Sequence, residues 1–134
     1  MRLFALRGAT SVESNTAAHI LASTSELMDR NELEPEAMVS CIFTATEDLD
    51  AEFPALAARQ LGLTSVPLLC TREIPVPGSL GRCIRILLHW NTDRPAKDVR
   101  HVFLRGARTL RPNWARRVEG DDAEESVRLP SGSP

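Results

Sequence analysis

Residues 83–91 (Cys-Ile-Arg-Ile-Leu-Leu-His-Trp-Asn) constrain the fold more than any other segment of the chain. Branched and large apolar side chains in such a run are typical of a strand in the centre of a sheet. Arg85 lies inside this run, and a charge in the middle of a strand is costly unless it is paired or reaches solvent. The segment therefore predicts a central strand whose Arg85 either faces solvent or forms a preorganised site for an anion.

The remaining apolar patterns predict alternating strands and helices. Strands are expected at residues 2–9, 38–45, 66–70 and 101–111, main helices at 17–30 and 51–61, and a short helix near 96–100. This order predicts an α+β (α/β-like) domain in which two main helices pack on a mixed five-stranded sheet. Two helices cover such a sheet incompletely, which favours an oligomer that hides the remainder.

The ends of the two main helices carry their own signals. Residues 14–16 (Ser-Asn-Thr) supply N-cap candidates for the first helix. The acidic residues within 47–50 are expected to cap the second helix, with Pro54 in its first turns and Gly62 at its end. Each helix is thus predicted to begin at a polar cap.

Length and charge limit the classes of protein that fit. The 134 residues suit one domain, and a net charge of −2 does not indicate a nucleic-acid binder. No apolar run is long enough to cross a membrane, and the N-terminal apolar run is too short for a signal peptide. Residues 119–134 carry five acidic side chains and one arginine without an apolar period. We therefore expect a domain at 1–118 and a mobile acidic tail at 119–134.

The cysteine and histidine residues give no metal or redox signal. Cys41, Cys70 and Cys83 form no Cys-x-x-Cys pair, and the histidines lack metal-ligand spacing. Unpaired cysteines fit a reducing, cytoplasmic compartment. The sequence also lacks the common nucleotide-binding and hydrolase motifs, and we expect no metal site.

Besides Arg85, four features are candidates for chemistry, and each has a structural alternative. Arg7, in an apolar strand, either faces solvent or joins an anion site, and Glu73 is either a loop carboxylate or the partner of a buried arginine or a ligand hydroxyl. Cys70 is most simply a buried apolar thiol, and residues 78–81 (Gly-Ser-Leu-Gly) mark a turn more often than a phosphate cradle. An arginine-rich site suits a small dianion, with chemistry by positioning and electrostatic stabilisation.

Several short segments, in order along the chain, carry a family resemblance. They are residues 7–13 (Arg-Gly-Ala-Thr-Ser-Val-Glu), 40–55 with Thr-Ala-Thr-Glu-Asp-Leu at 44–49 and Phe-Pro-Ala at 53–55, 66–70 (Val-Pro-Leu-Leu-Cys), Glu73, 81–85 (Gly-Arg-Cys-Ile-Arg), 100–104 (Arg-His-Val-Phe-Leu) and 110–112 (Leu-Arg-Pro). Over about residues 3–112 the chain resembles the monofunctional chorismate mutases of the trimeric, pseudo-α/β-barrel (AroH) class.

The resemblance implies a homotrimeric pseudo-α/β barrel that converts chorismate to prephenate at subunit interfaces, in aromatic amino acid biosynthesis and without a cofactor. It implies that Arg85 lies by the breaking ether oxygen and a substrate carboxylate, and that Arg7 binds a carboxylate. It also implies that Glu73 and Cys70 hold the ring hydroxyl. The implied pocket lining, partly from the adjacent chain, is Phe53, Ala55, Arg59, Leu68, Leu69, Phe103 and Leu110.

Two positions depart from the pattern of the family that the chain resembles. That family commonly has Tyr where this chain has Phe103, so one hydroxyl donor to a carboxylate is missing, and a Lys common near the pocket mouth is Leu56 here. The alternation of Phe103 with its neighbours also permits a place in the core. Neither change removes Arg85, so we expect weakened rather than lost catalysis.

Two other functions fit the residues. A small trimeric deaminase-like enzyme also places an arginine at a subunit interface, but it has no need of Glu73 or of a carboxylate clamp at Arg7. The change at Phe103 leaves open a non-catalytic module that binds an anionic metabolite. Loss of chorismate absorbance, release of ammonia, or chorismate binding without turnover distinguishes the three functions.

Overall fold

The structure, a computed structural model, describes residues 2–30, 35–93, 100–110 and 126–128. Its strands are β1 (Arg2–Ser11), β2 (Met38–Ala45), β3 (Leu68–Arg72), β4 (Cys83–Thr92), β5 (Arg100–Leu104) and β6 (Ser126–Arg128), and its helices are α1 (Ala17–Asp29) and α2 (Ala55–Gln60), with 3₁₀ helices at Pro35–Ala37 and Arg105–Leu110. The strands form one sheet in the order β3-β2-β4-β1-β5-β6. The predicted α+β class, with a mixed sheet and two main helices, is confirmed.

The sheet has one strand more than the sequence predicts. β6 pairs antiparallel with β5 and lies within the acidic segment 119–134. The structure does not describe residues 119–125 or 129–134, so the mobility expected of that segment stays a prediction. In the described part of the chain, no helix is long and apolar enough to cross a membrane.

β4 lies at the centre of the sheet, as its apolar run predicts. It pairs antiparallel with β1, from Cys83 opposite Ser11 to Thr92 opposite Arg2, and antiparallel with β2 on its other side. Outside these strands, β3 pairs parallel with β2, and β5 pairs parallel with β1. Arg85 is therefore enclosed between two strands, in a position that restricts its side chain to one face of the sheet.

One face of the sheet is covered by both main helices. Alternate strand residues on this face are buried against apolar side chains of α1 and α2, as the period of two along a strand requires. The resulting main core consists of Phe4, Leu6, Leu27, Met28, Cys41, Phe43, Ala55, Ala58, Leu63, Ile86, Leu88, Trp90, Val102 and Leu104.

The opposite face is open over most of the strands. Arg7, Ile42 and Leu87 are only half-buried there, and Leu3 and Leu69 are each 59% exposed. The helices leave this face uncovered in a single chain, and the expectation that another chain covers its apolar side chains stays a prediction.

At one end, the open face is closed by the second 3₁₀ helix. This helix and the loop before β4 cover a small apolar group, here named the Phe103 cluster. The cluster consists of Ala9, Cys83, Phe103 and Ala107, with Leu80 and Leu110 packed against them.

Local signals locate α1 correctly but not the start of α2. Thr16 is the N-cap of α1, and its side chain accepts a hydrogen bond from the N–H of His19. The prediction that residues 47–50 cap a helix over 51–61 is wrong, because Pro54 is the N-cap of α2 and makes no side-chain cap bond. At the other end, Gly62 has a φ of 97°, the left-handed conformation that ends a helix at glycine.

The prediction of a last strand at 101–111 is wrong beyond Leu104, because β5 ends at that residue. Arg105 has a φ of 52°, which turns the chain into the second 3₁₀ helix. Its guanidinium donates to Thr10 Oγ1 at 3.1 Å and to Glu26 Oε1 at 2.5 Å, so side-chain bonds hold this turn. The short helix predicted near 96–100 lies outside the described residues, except that Arg100 belongs to β5.

At Gly8, β1 packs closely against α1 and the neighbouring strands. A Cβ at this position would lie 3.1 Å from both Leu27 Cδ1 and the carbonyl oxygen of Val102, and 3.2 Å from Ile86 Cγ1. We expect Gly8→Ala to lower the free energy of unfolding by about 1–3 kcal/mol, because a backbone oxygen in the sheet cannot move aside freely. Denaturant unfolding followed by circular dichroism measures the change.

Gly106→Ala is the control for this substitution. There the nearest atom to a new Cβ is the hydroxyl of Ser11 at 3.3 Å, at the end of a side chain. We expect a change within about 0.5 kcal/mol for this surface position. Equal stabilities of the two variants would contradict the close packing inferred at Gly8.

Candidate active site

Arg85 projects from β4 onto the open face and pairs with Glu73. Glu73 directly follows β3, and its N–H donates to the carbonyl oxygen of Ala45 at 3.0 Å. Arg85 Nε lies 3.3 Å from Glu73 Oε2, and the exposed fractions of the two side chains are 33% and 19%. Arg85 is thus a partly buried, paired charge rather than a solvent-facing one, and Glu73 is its partner.

Thr44 contacts the same carboxylate from β2. It lies directly opposite Arg85 in the register of β2 and β4, and its hydroxyl donates a hydrogen bond to Glu73 Oε2. Among the described residues, Glu73 Oε1 receives no hydrogen bond, and none joins the terminal nitrogens of Arg85 to a protein oxygen. The pair therefore offers a ligand one carboxylate acceptor and one edge of a guanidinium.

Arg85 and Glu73 line a cavity of about 460 Å³. Its other walls are the start of the loop that follows β2, at 46–48, and the loop between β3 and β4, which contributes Ile74 and Leu80. This volume lies within the range of small-molecule sites, which combine apolar walls with a few polar groups. The cavity therefore has the size and the charged groups that a small anionic ligand requires.

Asp48 holds the turn that enters β4. Both of its carboxylate oxygens lie 3.0 Å from the N–H of Arg82, whose φ of 43° is left-handed. The hydroxyl of Thr46 donates to Asp48 Oδ1 at 2.5 Å and accepts from the N–H of Cys83 at 3.0 Å. Burial raises the pKa of Asp48, but hydrogen bonds from Thr46 and Arg82 and the charge of Arg82 leave it below its usual value. An ionised Asp48 therefore anchors the chain close to Arg85.

The glycines at 78–81 form a turn. Gly78 has a φ of 85°, and the Ser79 hydroxyl donates to the carbonyl oxygen of Val76 at 2.6 Å. A Cβ on Gly81 would lie 2.9 Å from Asp48 Oδ2, so a carboxylate already faces this segment. Since like charges repel at such distances, the arrangement does not favour a phosphate cradle here.

Two of the three thiols are poor nucleophiles. Burial raises the pKa of Cys83 to about 11, although the charge of Arg85 acts in the opposite direction. Burial, followed by the influence of Cys70, raises the pKa of Cys41 to about 12. Both thiols are therefore protonated at neutral pH. In the described part of the chain, no group of three His, Cys, Asp or Glu residues is placed to hold a metal ion.

Arg7 shares the open face with Arg85. It lies opposite Leu87, two residues along β4 from Arg85, so the two arginines occupy diagonal positions on one face. Its N–H donates to Nδ1 of the buried His101 at 3.0 Å, and its side chain is half-buried. This register brings a second positive charge to the face of the sheet that carries Arg85.

The remaining predicted pocket residues are not gathered around Arg85 in a single chain. Cys70 and Leu68 pack against the main core on the face covered by helices, and Ala55 is buried in that core. Phe53, 67% exposed, lines a second cavity of about 330 Å³ together with Cys70, and Arg59 is exposed on α2. In a single chain, Phe53 and Cys70 therefore line a different cavity from Arg85 and Glu73.

Comparison with known proteins gives the family. The family model described as chorismate mutase type I matches residues 3–114. A curated protein named chorismate mutase AroH from Thermus thermophilus is 51% identical over 113 residues, which are 81% of this chain and 93% of that protein. One of the same name from Bacillus subtilis (strain 168) is 41% identical over 118 residues, 84% of this chain and 93% of that protein. The chain belongs to the chorismate mutase type I family.

A solved structure agrees with this assignment. A chorismate mutase from Clostridium thermocellum is 52% identical to this chain and superposes with a TM-score of 0.75, over 79% of this chain and 98% of that one. Membership of the chorismate mutase family does not favour the deaminase-like alternative. The resemblance stated from the sequence is confirmed, and so is the predicted class of enzyme, an isomerase.

Phe103, one of the two departures from the family pattern, is buried in a single chain. Only 1% of its surface is exposed, and it lines neither of the two cavities described above. The ring packs in the Phe103 cluster, as does the partly buried Leu110, because β5 and the second 3₁₀ helix fold over the same end of the open face. A single chain therefore has the core position that the alternation along β5 permits, not the predicted pocket position.

Phe103→Tyr tests this placement. The new hydroxyl would enter a cluster whose named members are apolar, so we expect a loss of about 1–3 kcal/mol in the free energy of unfolding. We expect the KM for chorismate to stay unchanged. Melting temperature and KM, measured on the same preparation, distinguish the two positions, and a several-fold lower KM at unchanged stability would return Phe103 to the pocket.

Proposed function

We propose that this chorismate mutase accelerates the [3,3] rearrangement of chorismate to prephenate with Arg85 as its central catalytic group. The observation that supports the proposal most directly is the guanidinium of Arg85. It is held on one side by Glu73, and it lines a cavity of about 460 Å³. Such a group would act as a preorganised donor to the substrate oxygen on which negative charge develops.

The reaction suits a site without a strong acid, base or nucleophile. One ether C–O bond breaks and one C–C bond forms within the same molecule, so no proton or group is exchanged with the protein. In the transition state the ether oxygen gains negative charge, and the substrate must be folded into a compact conformer. Arg85 would stabilise that oxygen more strongly in the transition state than in the ground state, and this difference is what raises kcat.

The other charged groups would bind the substrate. Arg7 lies diagonal to Arg85 on the same face and would bind a substrate carboxylate. Glu73 Oε1, which receives no hydrogen bond among the described residues, would accept the hydrogen bond of the ring hydroxyl, and Cys70 would contact that hydroxyl from the other half of the pocket. These contacts exist before and during the reaction, so they would lower KM more than they raise kcat.

We further propose that the enzyme is a homotrimer, arranged as a pseudo-α/β barrel, whose active sites form between subunits. Arg7, Arg85 and Glu73 would come from one chain, and Phe53, Ala55, Arg59 and Leu68 from its neighbour, with Leu69 and Leu110 at the pocket wall. The separation of these groups in a single chain supports the proposal, as do the exposed apolar side chains of the open face.

Arg85→Ala removes the proposed donor to the ether oxygen. We expect kcat to fall by at least about 10²-fold, which is typical of losing one preorganised donor. Arg85→Lys keeps the charge but loses the planar fork, so it should remain poor. The loss of chorismate absorbance in stopped-flow or steady-state assays gives both values, and a lysine variant near the wild-type rate would show that charge alone suffices.

A mixing experiment tests the shared site. Arg85→Ala removes the catalytic group from one half of the pocket, and Arg59→Glu places a charge that repels the dianion on the other half. Each variant alone should be nearly inactive. The two variants are then unfolded and refolded together in equal amounts, so that trimers form at random. A site is intact only where one chain supplies Arg85 and its neighbour supplies Arg59, so roughly a quarter of the wild-type activity should return.

Light scattering on the same samples checks the oligomeric state, which we expect to be trimeric for the wild type and both variants. A stable, active monomer would contradict the shared site. Trimers that regain no activity after mixing would place Arg59 and Arg85 in the same chain's site, and an Arg59→Glu variant that is active on its own would remove Arg59 from the pocket.

A further inference from the structure

The carboxylate of Glu73 is held by two contacts among the described residues, and they differ in kind. Arg85 Nε lies 3.3 Å from Oε2, but the geometry is that of an ion pair, since this buried Nε makes no hydrogen bond. The hydroxyl of Thr44 does donate a hydrogen bond to the same oxygen. In this part of the chain, the Thr44 contact is thus the one directional bond that orients the Glu73 carboxylate.

The position of Thr44 suits this role. It lies on β2 directly opposite Arg85, so the two side chains point to the same face from neighbouring strands. Its immediate neighbours along β2, Phe43 and Ala45, are buried on the helix-covered face. Glu73 reaches Thr44 from the end of β3, where its N–H is bonded to the carbonyl oxygen of Ala45. Backbone pairing therefore places the three side chains, and the hydroxyl of Thr44 fixes the rotation of the carboxylate.

We infer that Thr44 is a positioning residue for the rearrangement, in that its hydroxyl engages Glu73 Oε2 and thereby keeps Glu73 Oε1 and the guanidinium of Arg85 directed at the substrate. This inference rests on the proposed function, because it assigns Thr44 a part in the same site. Without the hydroxyl, the carboxylate turns toward the terminal nitrogens of Arg85, and the guanidinium edge that faces the ether oxygen becomes occupied.

Thr44→Val tests the inference because valine keeps the branched shape and removes the donor. We expect kcat/KM for chorismate to fall by roughly tenfold, the scale of one hydrogen bond to a charged group. The larger part of the loss should appear in kcat, since the arginine that becomes misdirected acts in the transition state. Thr44→Ser keeps the hydroxyl and should stay within about threefold of the wild type, which a purely steric role would not produce.

Thr64→Val is the matched control. Thr64 is exposed in the loop between α2 and β3, which lies at the opposite end of β3 from Glu73. The same change of side chain there should leave kcat and KM unchanged. Melting temperatures of all variants are measured in parallel. If Thr44→Val lowers stability strongly, Thr44→Ala removes the hydroxyl without placing a methyl group against the carboxylate and serves the same comparison.

A double-mutant cycle separates positioning from packing. In a Glu73→Ala background the hydroxyl of Thr44 has no carboxylate to hold, so adding Thr44→Val should change kcat/KM by less than about twofold. A loss that is as large in this background as in the wild type would overturn the inference, because the effect of Thr44 would then not pass through Glu73.

The outcomes also separate this inference from the proposed function. A wild-type protein that leaves chorismate unchanged rejects the function itself. An active wild type with a Thr44→Val variant of equal activity, or with a Thr44→Ser variant as poor as valine, leaves the function standing and rejects the role of Thr44.

Discussion

The placement of a guanidinium in the middle of the sheet is the constraint on which the rest of the site depends. Arg85 interrupts the apolar run of the central strand, and a charge there requires a partner because its solvation is reduced. Glu73 supplies the opposite charge at 3.3 Å, and both side chains remain partly exposed. Partial burial strengthens the electrostatic interactions of the guanidinium and leaves it accessible to a ligand. A fully solvated arginine would interact weakly, and a fully buried one would not be accessible.

The two faces of the sheet differ in that one forms the apolar core and the other carries the charged side chains. The face beneath α1 and α2 buries the apolar residues of every second strand position, and that burial stabilises the chain without any charged group. The other face is thereby released from the core and carries Arg7, Thr44 and Arg85. Because β4 lies between β1 and β2, strands distant in sequence deliver these side chains to one place. A rigid strand holds a catalytic group more closely than a loop does.

The sequence predicts the parts of this design that follow from local pattern. Strand 38–45 is predicted to the residue, and α1, with Thr16 as its cap, and the central place of β4 follow from apolar period and cap chemistry. Arg85 is found as a candidate because a charge in an apolar strand is conspicuous, and Glu73 because it is a carboxylate that follows a predicted buried strand. Their pairing is not found from the residues alone, since it depends on the parallel pairing of β2 and β3, which sets the level of Glu73 beside Arg85.

Other features escape prediction because tertiary bonds override local preference. Asp48 is of a residue type that commonly caps helices. Its carboxylate accepts a hydrogen bond from the N–H of Arg82 rather than from a helix, and α2 starts later in the chain. Arg105 lies within the segment 101–111 that the alternation of its neighbours predicts as a strand, yet bonds to Thr10 and Glu26 hold it in a left-handed turn that ends β5. Thr44 gives a weaker signal, one of two hydroxyl side chains in a mostly apolar strand, and only the register shows what it faces.

The departures from the family pattern are compatible with activity for a reason that the reaction itself supplies. A hydroxyl in place of Phe103 would enter the buried Phe103 cluster and would not reach the cavity beside Arg85. An ammonium in place of Leu56, at the proposed pocket mouth, would bind a substrate carboxylate whose charge is the same in the ground state and in the transition state. Losing such a group weakens both states alike, which raises KM and leaves the barrier from the bound substrate nearly unchanged. Arg85 differs because the charge it would meet on the ether oxygen exists only as the bond breaks. On the proposed mechanism, a change at the pocket mouth should therefore reduce kcat less than a change at Arg85, whose interaction with the substrate grows during the reaction.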